Sequence, residues 1–168
     1  MDSQLIEQIP TEPVDEELVK QLFRQQKAFL EAKKAYCLKD FWEFSKEVIS
    51  WKDLYEPLHK PLCEFVQNNQ GKKRMILLPR GHLKSSVITV GYALWRIAQN
   101  PKIRILIANA TAPLAITFLK QIKDHLLKND KFKELFGELG INAPQWAEDA
   151  ITIARPESFE SKESTVTA

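Results

Sequence analysis

Residues 77–86 read Leu-Leu-Pro-Arg-Gly-His-Leu-Lys-Ser-Ser, an apolar run that turns through a proline and a glycine into a lysine followed by two hydroxyls. A lysine-hydroxyl pair on the first turn of a helix suits phosphate. The first-turn amides point into one concavity, the ammonium reaches the terminal phosphates and the hydroxyl holds magnesium. Against the consensus Gly-x-x-x-x-Gly-Lys-[Ser/Thr], Lys84 and Ser85 match, whereas Leu78 and Leu83 stand where the two glycines belong. The letters alone therefore miss the motif. The context supports it: an apolar strand, a turn through Pro79 and the permissive Gly81, two cations and a lysine-hydroxyl pair opening a helix. The same residues also fit a plain surface connection, with Arg80 and Lys84 solvated and Ser85 or Ser86 capping the helix.

Other chemistry-bearing residues are few. His59 precedes Lys84 by 25 positions, His125 lies on a basic helix and reads as solvent-exposed, and Lys72, Lys73 and Arg74 form a basic turn that suits solvent or nonspecific phosphate contact. Cys37 and Cys63 lack Cys-x-x-Cys spacing, so they read as buried thiols rather than a zinc or disulfide framework.

The elements that must position these groups follow from periodicity. Residues 1–14, acidic with Pro10 and Pro13, read as a flexible arm. Asp15 caps an amphipathic helix predicted over 16–38, whose apolar positions include Leu18, Leu22, Phe29 and Leu30. That stripe needs a partner surface, either the chain's own core or a docking partner. Asp40 with Glu43 forms a capping box ahead of a short aromatic helix. A third helix starts at Pro57 and runs to the turn at 68–71. Residues 75–78 predict a strand with both faces covered, and 85–100 predict a helix buried on nearly every side. A second strand over 103–108 and a helix opened by residues 109–113 follow, and this alternation implies a right-handed parallel unit. Residues 150–154 and 164–168 predict two further short strands around a polar loop at 156–163.

With 168 residues, 44% hydrophobic and 27% charged, the chain is long and apolar enough for one domain with a real core. No stretch approaches the roughly 20 apolar residues of a membrane span, and the N-terminus has neither part of a signal peptide, so a cytoplasmic protein without membrane association is expected. The net charge of +2 hides an asymmetry. Residues 1–19 hold six acids and no Lys or Arg, which leaves 24 basic against 16 acidic residues over the rest, a balance suited to nucleic acid or to solvated surface lysines.

The stretch "LLPRGHLKSS" resembles the variant phosphate-binding (Walker A) loop of the large terminase subunits of tailed bacteriophages, motors that pump DNA into capsids and cut it. "LYEPLHKPLCEFV" resembles the adenine-side segment of that family, and "IRILIANATAPLAITFLKQIKDHL" resembles the strand and helix after the loop, so the likeness spans about residues 40 to 168. The resemblance implies an α/β P-loop NTPase of the additional-strand, RecA-like type, with a parallel sheet core and an N-terminal helical region. The divisions are a flexible acidic arm over 1–14, a helical region with the adenine-side segment over 15–71, and an incomplete ATPase core over 72–168.

By the same resemblance, ATP and magnesium are the cofactors. Lys84 contacts the β and γ phosphates, Ser85 coordinates magnesium, Gly81, His82 and Leu83 supply backbone donors, and Ser86 lies near the α phosphate. Arg80 corresponds to a loop arginine near the γ phosphate, or else faces DNA. His59 falls where related ATPases set a polar side chain against the adenine edge, or is an interior histidine satisfied by its neighbours. The implied partners are double-stranded DNA, the portal protein and a small terminase subunit, with a ring of subunits in the intact motor.

Hydrolysis in this class also needs an apolar strand ending in Asp-Glu. Residues 47–53, 124–130 and 147–160 contain acids but do not fit that pattern. The chain thus reads as the front part of a terminase, truncated before the acidic Walker B strand and the nuclease domain, and catalysis by this chain alone is not expected. The competing reading is a non-catalytic remnant or interaction protein with a degenerate loop. A third is another DNA-dependent P-loop ATPase.

Overall fold

A computed structural model describes residues 15–68, 71, 73–141, 143–153 and 164–168. The acidic arm over 1–14 and the polar loop at 156–163 lie outside the described residues.

Helix α1, Glu16–Lys39, starts where Asp15 Oδ1 accepts the Glu17 amide at 3.0 Å. Its apolar stripe is only partly used. Leu18, Leu22, Phe23 and Phe29 stand at least half exposed, Val19 and Leu30 are partly buried, and zero exposure is reached at Cys37. The C-terminal end is the docked part: the Trp95 indole donates to Cys37 O at 3.0 Å and Gln99 to Leu38 O at 2.9 Å.

Asp40 then serves twice. Its amide closes α1 on Tyr36 O, and its Oδ1 accepts from the amides of Trp42 and Glu43 to open α2, Phe41–Phe44. The other half of the expected capping box does not form, because the Asp40 amide is taken by Tyr36 O, and the next amide, that of Phe41, goes to Gln67 Oε1 at 2.7 Å. Helix α2 widens into a π-helical turn, Ser45–Ile49, whose Ser45 hydroxyl donates to Phe41 O. Helix α3, Glu56–Asn68, buries His59, Leu62, Cys63 and Val66. The thiols of Cys37 and Cys63 are both free and fully buried.

The helix after the loop passes through a second π-helical turn, Ser86–Gly91, before α4, Tyr92–Gln99. Val87, Val90, Leu94 and Ile97 are completely buried there, as the near-uniform apolar pattern requires. Helix α5, Ala112–Lys128, places Leu119, Ile122 and Leu126 in the same core. Asn129 ends α5 and caps α6, Asp130–Phe136, by accepting the Phe132 amide at 3.0 Å. A cluster of Phe44, Phe132 and Phe136 rings, with centroids 5.1–6.3 Å apart, joins α2 to α6.

The sheet is small and mixed. Strands β1 (Ile105–Leu106), β2 (Gln145–Trp146), β3 (Ala150–Thr152) and β4 (Val166–Thr167) lie in the order β1-β4-β3-β2. Only β1 and β4 are parallel, and the other two pairings are antiparallel. An all-parallel core with both faces covered is therefore not what the described residues form. Residues 75–78 take no place in the sheet. Met75 and Leu77 are 80% and 81% exposed while Ile76 and Leu78 pack on the core. That alternation is the period-two signature of a drawn-out backbone, but a ladder also needs a neighbour, and among the described residues none lies alongside. Leu106 of β1 is likewise 75% exposed on its outer side.

Candidate phosphate-binding loop

Between residue 78 and the buried helix the chain makes a bend with two left-handed residues, Gly81 at φ 81° and Leu83 at φ 49°. Gly81 adopts this backbone without cost, whereas a leucine there carries about 1–2 kcal/mol of strain. The Leu83 side chain offsets part of this by packing against the core from its half-buried position. Residue 83 is the place where the phosphate-loop consensus asks for glycine. A leucine there takes the left-handed backbone that glycine adopts most readily.

The first ladder bond of the following helix runs from the Val87 amide to Leu83 O at 2.8 Å. The amides of Lys84, Ser85 and Ser86 therefore precede the ladder and form a first-turn donor set, at the end of the helix dipole that favours anions. They line, with the rest of residues 79–86, a concavity of 480 Å³. Arg80, Gly81, His82 and Ser85 are exposed there, and Lys84 is half-buried. The Lys84 ammonium folds back over the loop and donates to Leu78 O at 3.3 Å, and the His82 ring sits 3.0 Å from Arg80 O. Arrangement and charge together can hold a multiply anionic group.

His59 supports this loop from behind rather than lining it. It is 2% exposed, and its two ring nitrogens lie 2.8 Å from the Tyr55 amide and 3.1 Å from His82 O. Neither ring nitrogen is left for a base edge, so of its two sequence readings the geometry favours the interior histidine. Arg74 of the basic cluster is also engaged, donating to Val66 O, and Lys72 lies outside the described residues.

A wider cleft, of 730 Å³, lies elsewhere, between the first π-helical turn and α5. Size does not make it the better site, because its charges are already spent on one another or on the chain. Lys128 meets Asp124 at 2.6 Å, Asp130 meets Lys133 at 2.7 Å and Lys131 donates to Ser50 Oγ at 2.7 Å. His125, expected on an exposed face, is half-buried here, edge-on to the Trp51 ring at 6.2 Å, and burial lowers its pKa.

No family model, curated protein or solved structure matches this chain. The loop geometry must therefore carry the functional argument together with the sequence likeness. Among the described residues, no three or more His, Cys, Asp or Glu side chains gather in a way that would hold a metal ion. Magnesium at this loop would take one protein oxygen, the exposed Ser85 hydroxyl, and its remaining ligands from phosphate and water, a coordination that this ion commonly accepts. No described helix is long and apolar enough to cross a membrane.

Proposed function

We propose that residues 79–86 form a nucleotide-binding loop and that this chain is the ATP-binding front part of a phage terminase large subunit. The observation that carries this reading is the left-handed backbone at Gly81 and Leu83 directly ahead of a free first helical turn beginning at Lys84. A simple strand-to-helix connection has no need of a strained leucine at that point. The assignment to terminases rests on the likeness of the loop and its flanking segments.

In this reading Lys84 releases Leu78 O and turns to the β and γ phosphates, the amides of 81–86 cradle their oxygens, and Arg80 supplies charge beside the γ phosphate or toward DNA. ATP binding is the task of this chain. Hydrolysis, translocation of double-stranded DNA through a portal, and cleavage belong to the intact subunit, in a ring with its small-subunit partner. A cytoplasmic setting in the host accords with this role. The loop's contacts to DNA would be to backbone phosphates, which suits a motor indifferent to sequence.

The test is titration of the full chain with a fluorescent ATP analogue, with and without magnesium, beside the Lys84→Ala variant. Weak, magnesium-assisted binding that falls at least about tenfold in the variant is expected, the scale of one lost charge-assisted contact. Equal signals from both proteins would instead favour the non-catalytic remnant.

A further inference from the structure

The bond between His59 and the loop spans 23 residues of sequence and fixes a proton. The Tyr55 amide donates to His59 Nδ1 at 2.8 Å, so Nδ1 is an acceptor. The other ring nitrogen faces a carbonyl, His82 O at 3.1 Å, which has no hydrogen to give. Only the neutral Nε2–H tautomer satisfies both contacts. Tyr55 O also lies 3.1 Å from Nδ1, but it already accepts the amides of Leu58 and His59.

The consequence reaches the next peptide bond. In a planar trans peptide the carbonyl and the following amide point in opposite directions. With His82 O turned inward to a residue that is 2% exposed, the Leu83 amide is turned away from His59, and Leu83 is among the residues that line the concavity. The left-handed φ of Leu83 then lets the chain enter the helix without rotating that amide away. Loop peptides flip easily when their carbonyl is unheld, and a flip here would present an oxygen to a phosphate in place of a donor.

We propose that His59 is a positioning residue that locks the 82–83 peptide, keeping the Leu83 amide aimed at a phosphate oxygen. It acts through the loop and touches no ligand. The inference rests on the nucleotide-binding reading of residues 79–86.

The experiment uses the full chain and three proteins: wild type, His59→Leu, which removes both contacts, and His59→Gln, whose side-chain amide retains a donor at the reach of Nε2. Each is titrated with the fluorescent ATP analogue and, separately, with inorganic pyrophosphate, while the Leu83 backbone amide is followed by NMR. Wild type should bind with a downfield shift of the Leu83 amide. His59→Leu should bind about tenfold more weakly and lose that shift, as removal of one preorganised donor requires, and His59→Gln should recover most of both. Imidazole nitrogen shifts in the wild type supply a readout that needs no mutant, and they should report a neutral ring protonated at Nε2.

Wild-type binding with unchanged affinity and an unchanged Leu83 shift in His59→Leu would overturn the positioning role and leave the nucleotide site standing. A ring protonated at Nδ1 would also overturn it. Absence of binding by wild type would overturn the nucleotide site itself, and the inference with it.

Discussion

Among the described residues, two that are not glycine adopt a left-handed backbone, Ser50 at φ 59° and Leu83 at φ 49°, and they sit in opposite settings. Ser50 ends a helical turn. Its amide donates to Ser45 O at 3.0 Å, its hydroxyl proton is shared between Lys46 O and Glu47 O at 3.2 Å each, and Lys131 donates to the same oxygen. The conformation there satisfies carbonyls that the end of a helix leaves without partners. Leu83 begins a helix instead. Its left-handed backbone leads into the first turn, where its carbonyl accepts the Val87 amide at 2.8 Å, and it lines the concavity of residues 79–86. The same dihedral angle is explained by capping in one place, and in the other it belongs to the loop proposed to bind nucleotide.

The widest separation between the two regions comes from the aromatic cluster beneath Ser50. Phe44 is completely buried against Phe132 and Phe136, and Phe44→Ala should cost about 3–5 kcal/mol in urea denaturation by opening a cavity. A cost below about 1 kcal/mol would mean that this half does not anchor the fold. Next comes Gly81→Ala. A Cβ there meets nothing within 4 Å, so the penalty of about 1–2 kcal/mol is purely conformational, and it should be accompanied by weaker ATP-analogue binding. A change at Ser50 should be smaller. Ser50→Gly relieves the left-handed strain and loses the exposed hydroxyl's contacts to Lys46 O, Glu47 O and Lys131, leaving stability within about 0.5 kcal/mol and nucleotide binding untouched. If Ser50→Gly weakened nucleotide binding as much as Gly81→Ala, the contrast would collapse.

Acid should act on the Ser50 side through His125. His125 is held below its ordinary pKa by burial, so its neutral form is favoured in the folded protein. Unfolding then takes up a proton once the pH drops below the unfolded value of about 6.5, and stability present above that pH declines as the solution is acidified toward the lower folded value. His125→Gln should flatten that decline in a pH series of thermal melts. On the basic side, burial pushes the Cys63 thiol up to about 12, which keeps it protonated and unreactive to thiol reagents while the fold is intact.

Helices were the most legible part of the sequence, because capping residues and apolar periodicity are local. Asp15 and Asp40 both act as caps, and the helix predicted over 16–38 corresponds to Glu16–Lys39. The Asn129 cap of α6 carried the same kind of signal ahead of Asp130 and Phe132, yet the short helix it opens was not anticipated. Pairing was not legible. Residues 75–78 and 103–108 have the same apolar run, but only the second finds a neighbour, β4, and only at Ile105 and Leu106. A strand's partner lies far away in sequence, and nothing within the run specifies it. Of the candidate site, Lys84 and Ser85 were legible by residue type. What escaped was the support behind it. The two π-helical turns have no simple sequence signature, and the link from His59 to His82 O appears only once α3 packs behind the loop.

The proposed function requires that the amides of residues 81–86, and no other cleft, receive a polyphosphate. Backbone amide shifts recorded during titration with magnesium-ATP test it most directly. The amides of Gly81 through Ser86 should move together and saturate, while those of Ser50, Trp51 and Asn129 around the larger cleft stay still. Shifts confined to the larger cleft, or an unmoved spectrum, would contradict the account.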